Sequence, residues 1–337
     1  MAVLFFGITG CATVGLQEAS ISLLPERTLT HWSPVSSIAF SPDGRFLASG
    51  SVDSRVRLWE ISNKKILTEF KFEGLFASEV WNVVFSPDGK YLAAANNEKE
   101  IKVWEISTGK LINTFTQKKG MIIPPGGIVY TPDGKFLVIG NGWEKTISLW
   151  EVSTGRLRYT VTHGGERLPM DISIALSPDG KYLASGSKDK FVKLWEVSSG
   201  NIVSTFNTPS ERITALAFSP EGKHLVSGHL DGTLSIWELL DGNGKLITTI
   251  KGHQSLTEVI ISPDGKYVVS ASSGAFASVI EFWELPTGKL IASFGTNRPL
   301  INCVAYSPDG KFLATGDGAG NIKLWNVNEL ITKMRCF

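Results

Sequence analysis

Five histidines and three cysteines are the residues of this chain best able to hold a metal ion or supply a nucleophile. His31, His163, His224, His229 and His253 show none of the close pairing that brings two imidazoles to one ion. Cys11, Cys303 and Cys336 are too few for a disulfide framework and fit no zinc spacing. Cys303 lies inside an apolar strand pattern and reads as a small core residue, while Cys336, beside the C-terminus, carries no readable signal. The run Gly316-Asp317-Gly318-Ala319-Gly320 is not followed by a helical pattern, so it is a turn and not a phosphate cradle. No Ser, His and Asp combination has local support, although a triad assembled in space leaves no trace in sequence. The expectation is a chain with no catalytic residue, no metal and no cofactor.

The elements that must position any site are a repeat. Ser/Thr-Pro-Asp/Glu-Gly begins at Ser41, Ser86, Thr131, Ser177, Ser219, Ser262 and Ser307, at intervals of 45, 45, 46, 42, 43 and 45 residues. Each tetrapeptide is followed about twenty residues later by a tryptophan: Trp59, Trp104, Trp150, Trp195, Trp237, Trp283 and Trp325. In the second copy Val80–Phe85 is a β-rich run ended by Ser86-Pro87-Asp88-Gly89, where proline fixes φ and glycine accepts positive φ. Residues 90–95 and 111–115 read as strands between polar turns, and 101–106 alternates apolar with polar like a half-buried strand. Four strands, a to d, therefore run up and down in each copy. A period of 40–45 residues with this content marks a propeller blade. Such a sheet buries both faces only when copies pack around an axis. The predicted fold is all-β, a seven-bladed β-propeller of four-stranded antiparallel blades. The tryptophans should be inter-blade packing residues with their indole N–H groups hydrogen-bonded.

Composition narrows the function. Lys and Arg number 33 against 32 Asp and Glu, with no long run of either sign. Phosphate-backbone binding needs a concentrated basic face, so nucleic acid is not expected as a partner. Hydrolysis or redox chemistry in a propeller channel would need convergent His, Asp or Glu on the inner strands. Those strands offer Glu79, Asp171 and Glu258 at scattered heights, without a histidine.

The repeat resembles the WD-repeat β-propellers over residues 24 to 327. Residues 183–197, Leu-Ala-Ser-Gly-Ser-Lys-Asp-Lys-Phe-Val-Lys-Leu-Trp-Glu-Val, come close to the strongest stretch of that family. The aspartate after the tryptophan is Glu in six copies and Asn326 in the last; the Gly-His pair survives clearly as Gly252-His253. The resemblance implies that a His, a strand-b Ser/Thr, a turn Asp and the Trp can form a buried tetrad. The first copy supplies all four, as His31, Ser49, Asp53 and Trp59, whereas Asp189 and Asp231 stand without a matching histidine. The array is expected to rely more on apolar packing than on tetrads. Residues 24–30 align with strand d of other copies, so the N-terminal strand is expected to complete the last blade; the tail 330–335 is the competitor for that place.

Residues 1–20 form a separate apolar segment, and 21–337 the propeller. Residues 2–8 are too short to span a bilayer but suit a signal h-region, and Ile8-Thr9-Gly10-Cys11 resembles a bacterial lipoprotein signal. No Lys or Arg precedes it. Two readings stand, a cell-envelope lipoprotein tethered through Cys11 and a cytoplasmic protein.

A contact surface is suggested by loop lengths. The tryptophan-to-turn spacings are 27, 27, 27, 24, 25 and 24, so the longest d–a connections lead into blades two, three and four. They carry Leu75 and Phe76; Met121 and Ile122; Leu168 and Met170. Trp143, in the b–c turn of blade three, shares their face, and Trp81 occupies an inner-strand column with Ser36, Gly126, Ile172, Thr214, Thr257 and Asn302. Exposed aromatic, Met and aliphatic clusters mark contact surfaces, although these loops would equally bury one another over the channel mouth. The expected function is a non-catalytic scaffold that binds protein partners through the loop-rich face of blades 2–4. The alternative is a small-molecule-binding or hydrolytic propeller with its site in the channel.

Overall fold

The computed structural model describes residues 29–333 except 32, 74–77, 99, 117–126, 165–171, 211, 254, 275–276 and 298. The turn chemistry repeats through the chain. Ser41 Oγ donates to Asp43 Oδ1 at 2.6 Å and accepts the Phe46 amide at 2.9 Å, while Asp43 Oδ1 accepts the Arg45 amide at 3.0 Å. Gly44 takes φ +69°, a left-handed conformation open to glycine without strain.

These turns build seven four-stranded antiparallel sheets, each in the spatial order a-b-c-d. Blade 1 comprises Val35–Phe40, Phe46–Ser51, Arg55–Glu60 and Lys65–Lys71. Blades 2 to 6 follow in sequence order. In blade 7 the strands Ile301–Tyr306, Phe312–Asp317 and Asn321–Asn326 take their fourth partner from the start of the chain: Leu29 pairs with Ile322 and Thr30 with Asn321. The chain then leaves blade 7 as a short helix, Val327–Lys333. No helix among the described residues is long and apolar enough to cross a membrane.

Neighbouring sheets meet through their first strands, which line the central channel. A second ring of contacts closes the toroid from below. A Cβ on Gly44 would touch Pro308 of blade 7, and each later turn glycine lies in the same way against the proline of the preceding blade's turn, as Gly89 against Pro42. The tetrapeptide therefore makes both the chain reversal and the inter-blade contact, which is why it recurs intact. Between the sheets lie apolar clusters such as that of Ala93, Ile101, Val103 and Phe115 of blade 2 with Ile128, Tyr130 and Ile139 of blade 3.

Candidate protein-interaction face

Strand a begins where strand b ends, as the pairing of Val80 with Asn96 shows, so d–a connections and b–c turns share one face. At that rim, among the described residues, five inner strands carry a β-bulge at their second residue. A bulge leaves one residue unpaired and disturbs the local ladder. Four of the bulged residues are small and polar, and each repairs the seam. Ser36 donates to the carbonyl of Gly50 at 3.0 Å and also to that of Val80. Thr214 donates to Gly228 O at 3.2 Å, Thr257 to Ala271 O at 3.1 Å and Asn302 to Val35 O at 3.0 Å.

Trp81 is the fifth, and it does none of this. Its indole N–H donates sideways to Glu79 Oε2 at 2.9 Å, and the half-buried ring stands at the channel rim. In blade 4 the preceding residues lie outside the described ones, and the buried Ile172 packs against Gly140 of blade 3. Val80, Ile213 and Leu256 fill the corresponding place against Gly50, Gly186 and Gly228.

Trp143 lies on the same face in the neighbouring blade. Asn141 Oδ1 accepts the amides of Trp143 and Glu144, both at 3.1 Å, holding the turn from beneath. The Trp143 side chain is left 53% exposed, an unusual state for so large an apolar group. Leu75, Phe76, Met121, Ile122, Leu168 and Met170 belong to connections of this face and lie outside the described residues, as do Asp171 and Cys11. In blade 6, strands b and c extend to Ser273 and from Ala277, and the hairpin is pinned to blade 7: Ser273 donates to Ile301 O at 2.7 Å and Ser278 Oγ accepts Ile301 N at 2.9 Å.

Beneath the face run the hydrogen bonds that fix each blade. In blade 1, Trp59 donates to Ser49 Oγ at 2.7 Å, Ser49 and His31 Nε2 share a 2.6 Å bond, and His31 Nδ1 lies 3.6 Å from Asp53. Arg57 joins them, bonding Asp53 at 2.8 Å and Glu69 at 2.6 Å. Burial, with Arg57 adding to it, holds the His31 pKa down. The Asp53 carboxyl, despite its desolvation, is brought to about 2 by hydrogen bonds from His31 and Arg57.

A second complete tetrad, which the sequence reading did not find, stands in blade 4. Trp195 donates to Ser185 Oγ at 2.7 Å, Ser185 bonds His163 Nδ1 at 2.7 Å, and His163 Nε2 reaches Asp189 at 3.3 Å. His31 stands 28 residues before its tryptophan and His163 stands 32, because the longer d–a connection intervenes. Spacing measured backwards from the strand-b Ser, with allowance for that insertion, would have found it. In blade 5 the histidine comes from strand b itself, His229 bonding Ser227 at 3.2 Å. Gly252-His253 forms no tetrad; His253 pairs with Glu281 at 2.8 Å. Five tryptophans donate to a strand-b hydroxyl, but blades 2 and 3 have Ala94 and Ile139 at that position, and the Trp150 indole N–H has no partner.

Of the inner-strand carboxylates, Glu79 holds Trp81, and Glu258 Oε2 accepts the Val304 amide of the next blade at 2.7 Å. Burial pushes the Glu258 carboxyl up to about 7, and burial beside Glu258 pushes the Cys303 thiol up. Among the described residues no three His, Cys, Asp or Glu side chains come together as a metal site.

The family profile described as "WD domain, G-beta repeat" matches residues 24–60, 68–105, 161–196, 200–238, 244–276 and 288–326. The chain belongs to the WD-repeat family. The profile passes over blade 3, which the fold supplies as the seventh WD-repeat blade. MST50-interacting protein 11 of Pyricularia oryzae is 41% identical over 43% of this chain and 46% of its own length. The small ribosomal subunit protein RACK1 of Neurospora crassa is 35% identical over 25% of this chain and 27% of its own. WD repeat-containing protein 36 of Homo sapiens is 37% identical over 26% of this chain and 10% of its own. The matched part thus spans less than half of each of these WD-repeat relatives.

Proposed function

We propose that this WD-repeat propeller is a non-catalytic platform that binds protein partners through the rim of blades 2–4, with Trp81 and Trp143 as its described anchors. The observation that carries this reading is Trp81: four sister positions hold small polar residues that repair a bulge, and this one presents an indole instead. Aromatic side chains supply much contact area at low ordering cost, and a closed toroid holds them rigidly. Two of the relatives, an interacting protein and a ribosomal subunit protein by name, are consistent with work inside protein assemblies. Leu75, Phe76, Met121, Ile122, Leu168 and Met170 extend the proposed surface along the same connections.

The test compares proteins captured from native extract by wild type and by Trp81→Ser/Trp143→Ser, quantified by mass spectrometry. A partner lost by the double variant, whose thermal midpoint is unchanged, supports the reading. Identical captures contradict it.

Tethering through Cys11 is a separate part of this proposal and rests on the N-terminal residues alone; the relatives named above are eukaryotic and add nothing to it. A mature N-terminus at lipidated Cys11 in the intact mass supports the envelope location. An unmodified Met1 supports the cytoplasm.

A further inference from the structure

The carboxylates near the loop face fall into two groups. In blade 1 Asp53 is bonded by Arg57 with His31 beside it, in blade 4 Asp189 meets His163, and in blade 6 Glu281 meets His253. Asp231 of blade 5 accepts the Ser210 hydroxyl, and Asp317 of blade 7 accepts the amides of Ala319 and Asn321. All five are spent inside the fold.

Blades 2 and 3 hold the second group. Glu73, Glu98 and Glu144 are exposed, and among the described residues their carboxylates have no hydrogen bond or ion pair. Glu79 gives one oxygen to the Trp81 indole N–H at 2.9 Å, and no described cation pairs with it. Its described counterparts in other blades, Pro34, Arg212, Ser255 and Leu300, include no carboxylate. The described lysines of these loops are withdrawn. Lys102 lies 3.6 Å from Glu100 with its ammonium 5.0 Å over the Phe72 ring, and Lys145 is buried. Lys99, Lys118 and Lys119 lie outside the described residues.

Two indoles, half-buried Trp81 and exposed Trp143, thus share a rim with four carboxylates that no described cation neutralises. A guanidinium suits both groups at once. It lies flat on an aromatic face and donates two parallel N–H bonds to a carboxylate. An ammonium lacks that fork, and an apolar side chain laid on the ring would leave Glu79 desolvated without a partner. The geometry points to Trp81 and Glu79 as the site for an arginine side chain of the partner protein, with Glu98 and Glu144 favouring a basic segment around it. This assignment rests on the rim of blades 2–4 being the partner-binding face, and it names what that face recognises.

The probe is N-acetyl-arginine methylamide, titrated against the full chain labelled with 5-fluorotryptophan. The Trp81 fluorine signal is assigned by its loss in Trp81→Phe. A saturable shift of that signal is expected. The citrulline analogue, which keeps the shape and loses the charge, should give none. Glu79→Gln keeps an acceptor for the indole N–H, so its thermal midpoint should match wild type, while its affinity for the probe should fall about fivefold or more. Glu98→Gln/Glu144→Gln should weaken binding by about twofold, an effect erased by high salt. No saturable shift, equal shifts with arginine and citrulline, or an unchanged response in Glu79→Gln overturns the assignment. Capture from native extract separates this site from the platform itself. A partner lost by Trp81→Ser/Trp143→Ser and fully retained by Glu79→Gln leaves the platform standing and overturns the arginine site.

Discussion

Blades 1 and 4 differ from blades 2 and 3 in how they hold their tryptophan. In the first pair the indole ends a chain of bonds through Ser49 and His31, or Ser185 and His163, to a turn aspartate. In the second pair the hydroxyl is gone, and aromatic rings take over: Phe70 stacks on Trp104 at 4.9 Å with Phe72 at its edge, and Phe115 meets Trp150 at 5.7 Å. Both solutions bury the indole. The polar one ties the b–c turn down to the core, because the aspartate belongs to that turn. In the apolar one an asparagine of strand b, Asn96 or Asn141, holds the turn instead, and it is in blades 2 and 3 that Trp81 and Trp143 appear at the rim. Loss of the tetrad and gain of surface aromatics coincide in the same blades.

The largest effect that would sharpen this contrast is loss of a tetrad hydroxyl. Ser185→Ala leaves the buried Trp195 N–H and His163 without their shared partner and should cost about 2–4 kcal/mol, read from the denaturant midpoint. A cost below about 0.5 kcal/mol would erase the distinction between the blade types.

Next is pH. Glu258 has a carboxyl raised in the folded state to about 7, so its contribution to stability is fully present below its unfolded pKa near 4.5 and is lost as pH rises through 7. Glu258→Gln keeps an acceptor for Val304 and should raise stability at pH 8 by about 1–2 kcal/mol, discounted for channel water, with no gain at pH 4. Asp53 works with the opposite sign. Its pKa is depressed to about 2, so its contribution is present above the unfolded value and disappears as pH falls from about 4 through 2. Acid titration of Asp53→Asn should therefore show a shallower loss than wild type in that window, by about 1 kcal/mol. The lowered pKa of His31 acts in the same direction at higher pH, its contribution being present above about 6.5 and lost below it.

The smallest expected change is in blade 3. Ile139→Thr supplies a hydroxyl to the unpartnered Trp150 indole, which offsets most of the lost apolar volume and leaves a net change under about 1 kcal/mol. Ile147→Thr, equally buried on the neighbouring strand, has no such compensation and should cost about 2 kcal/mol. Equal costs would mean that the indole gains nothing from a partner.

The fold was readable because one tetrapeptide performs two jobs, the turn and the Pro–Gly contact to the neighbouring blade, and so survives seven times. His163 was not readable at a fixed spacing, because the connection that lengthens the surface also shifts the residue inside it.

The central claim is that the rim of blades 2 and 3 is where a partner touches this protein. Site-specific photo-cross-linking tests it directly, with a benzophenone amino acid placed at Trp143 in one protein and at Asp133, on the opposite face, in another, each irradiated in native extract. The account predicts discrete higher-mass adducts from position 143 and none from position 133. Adducts of equal yield at both positions, or at 133 alone, would contradict it.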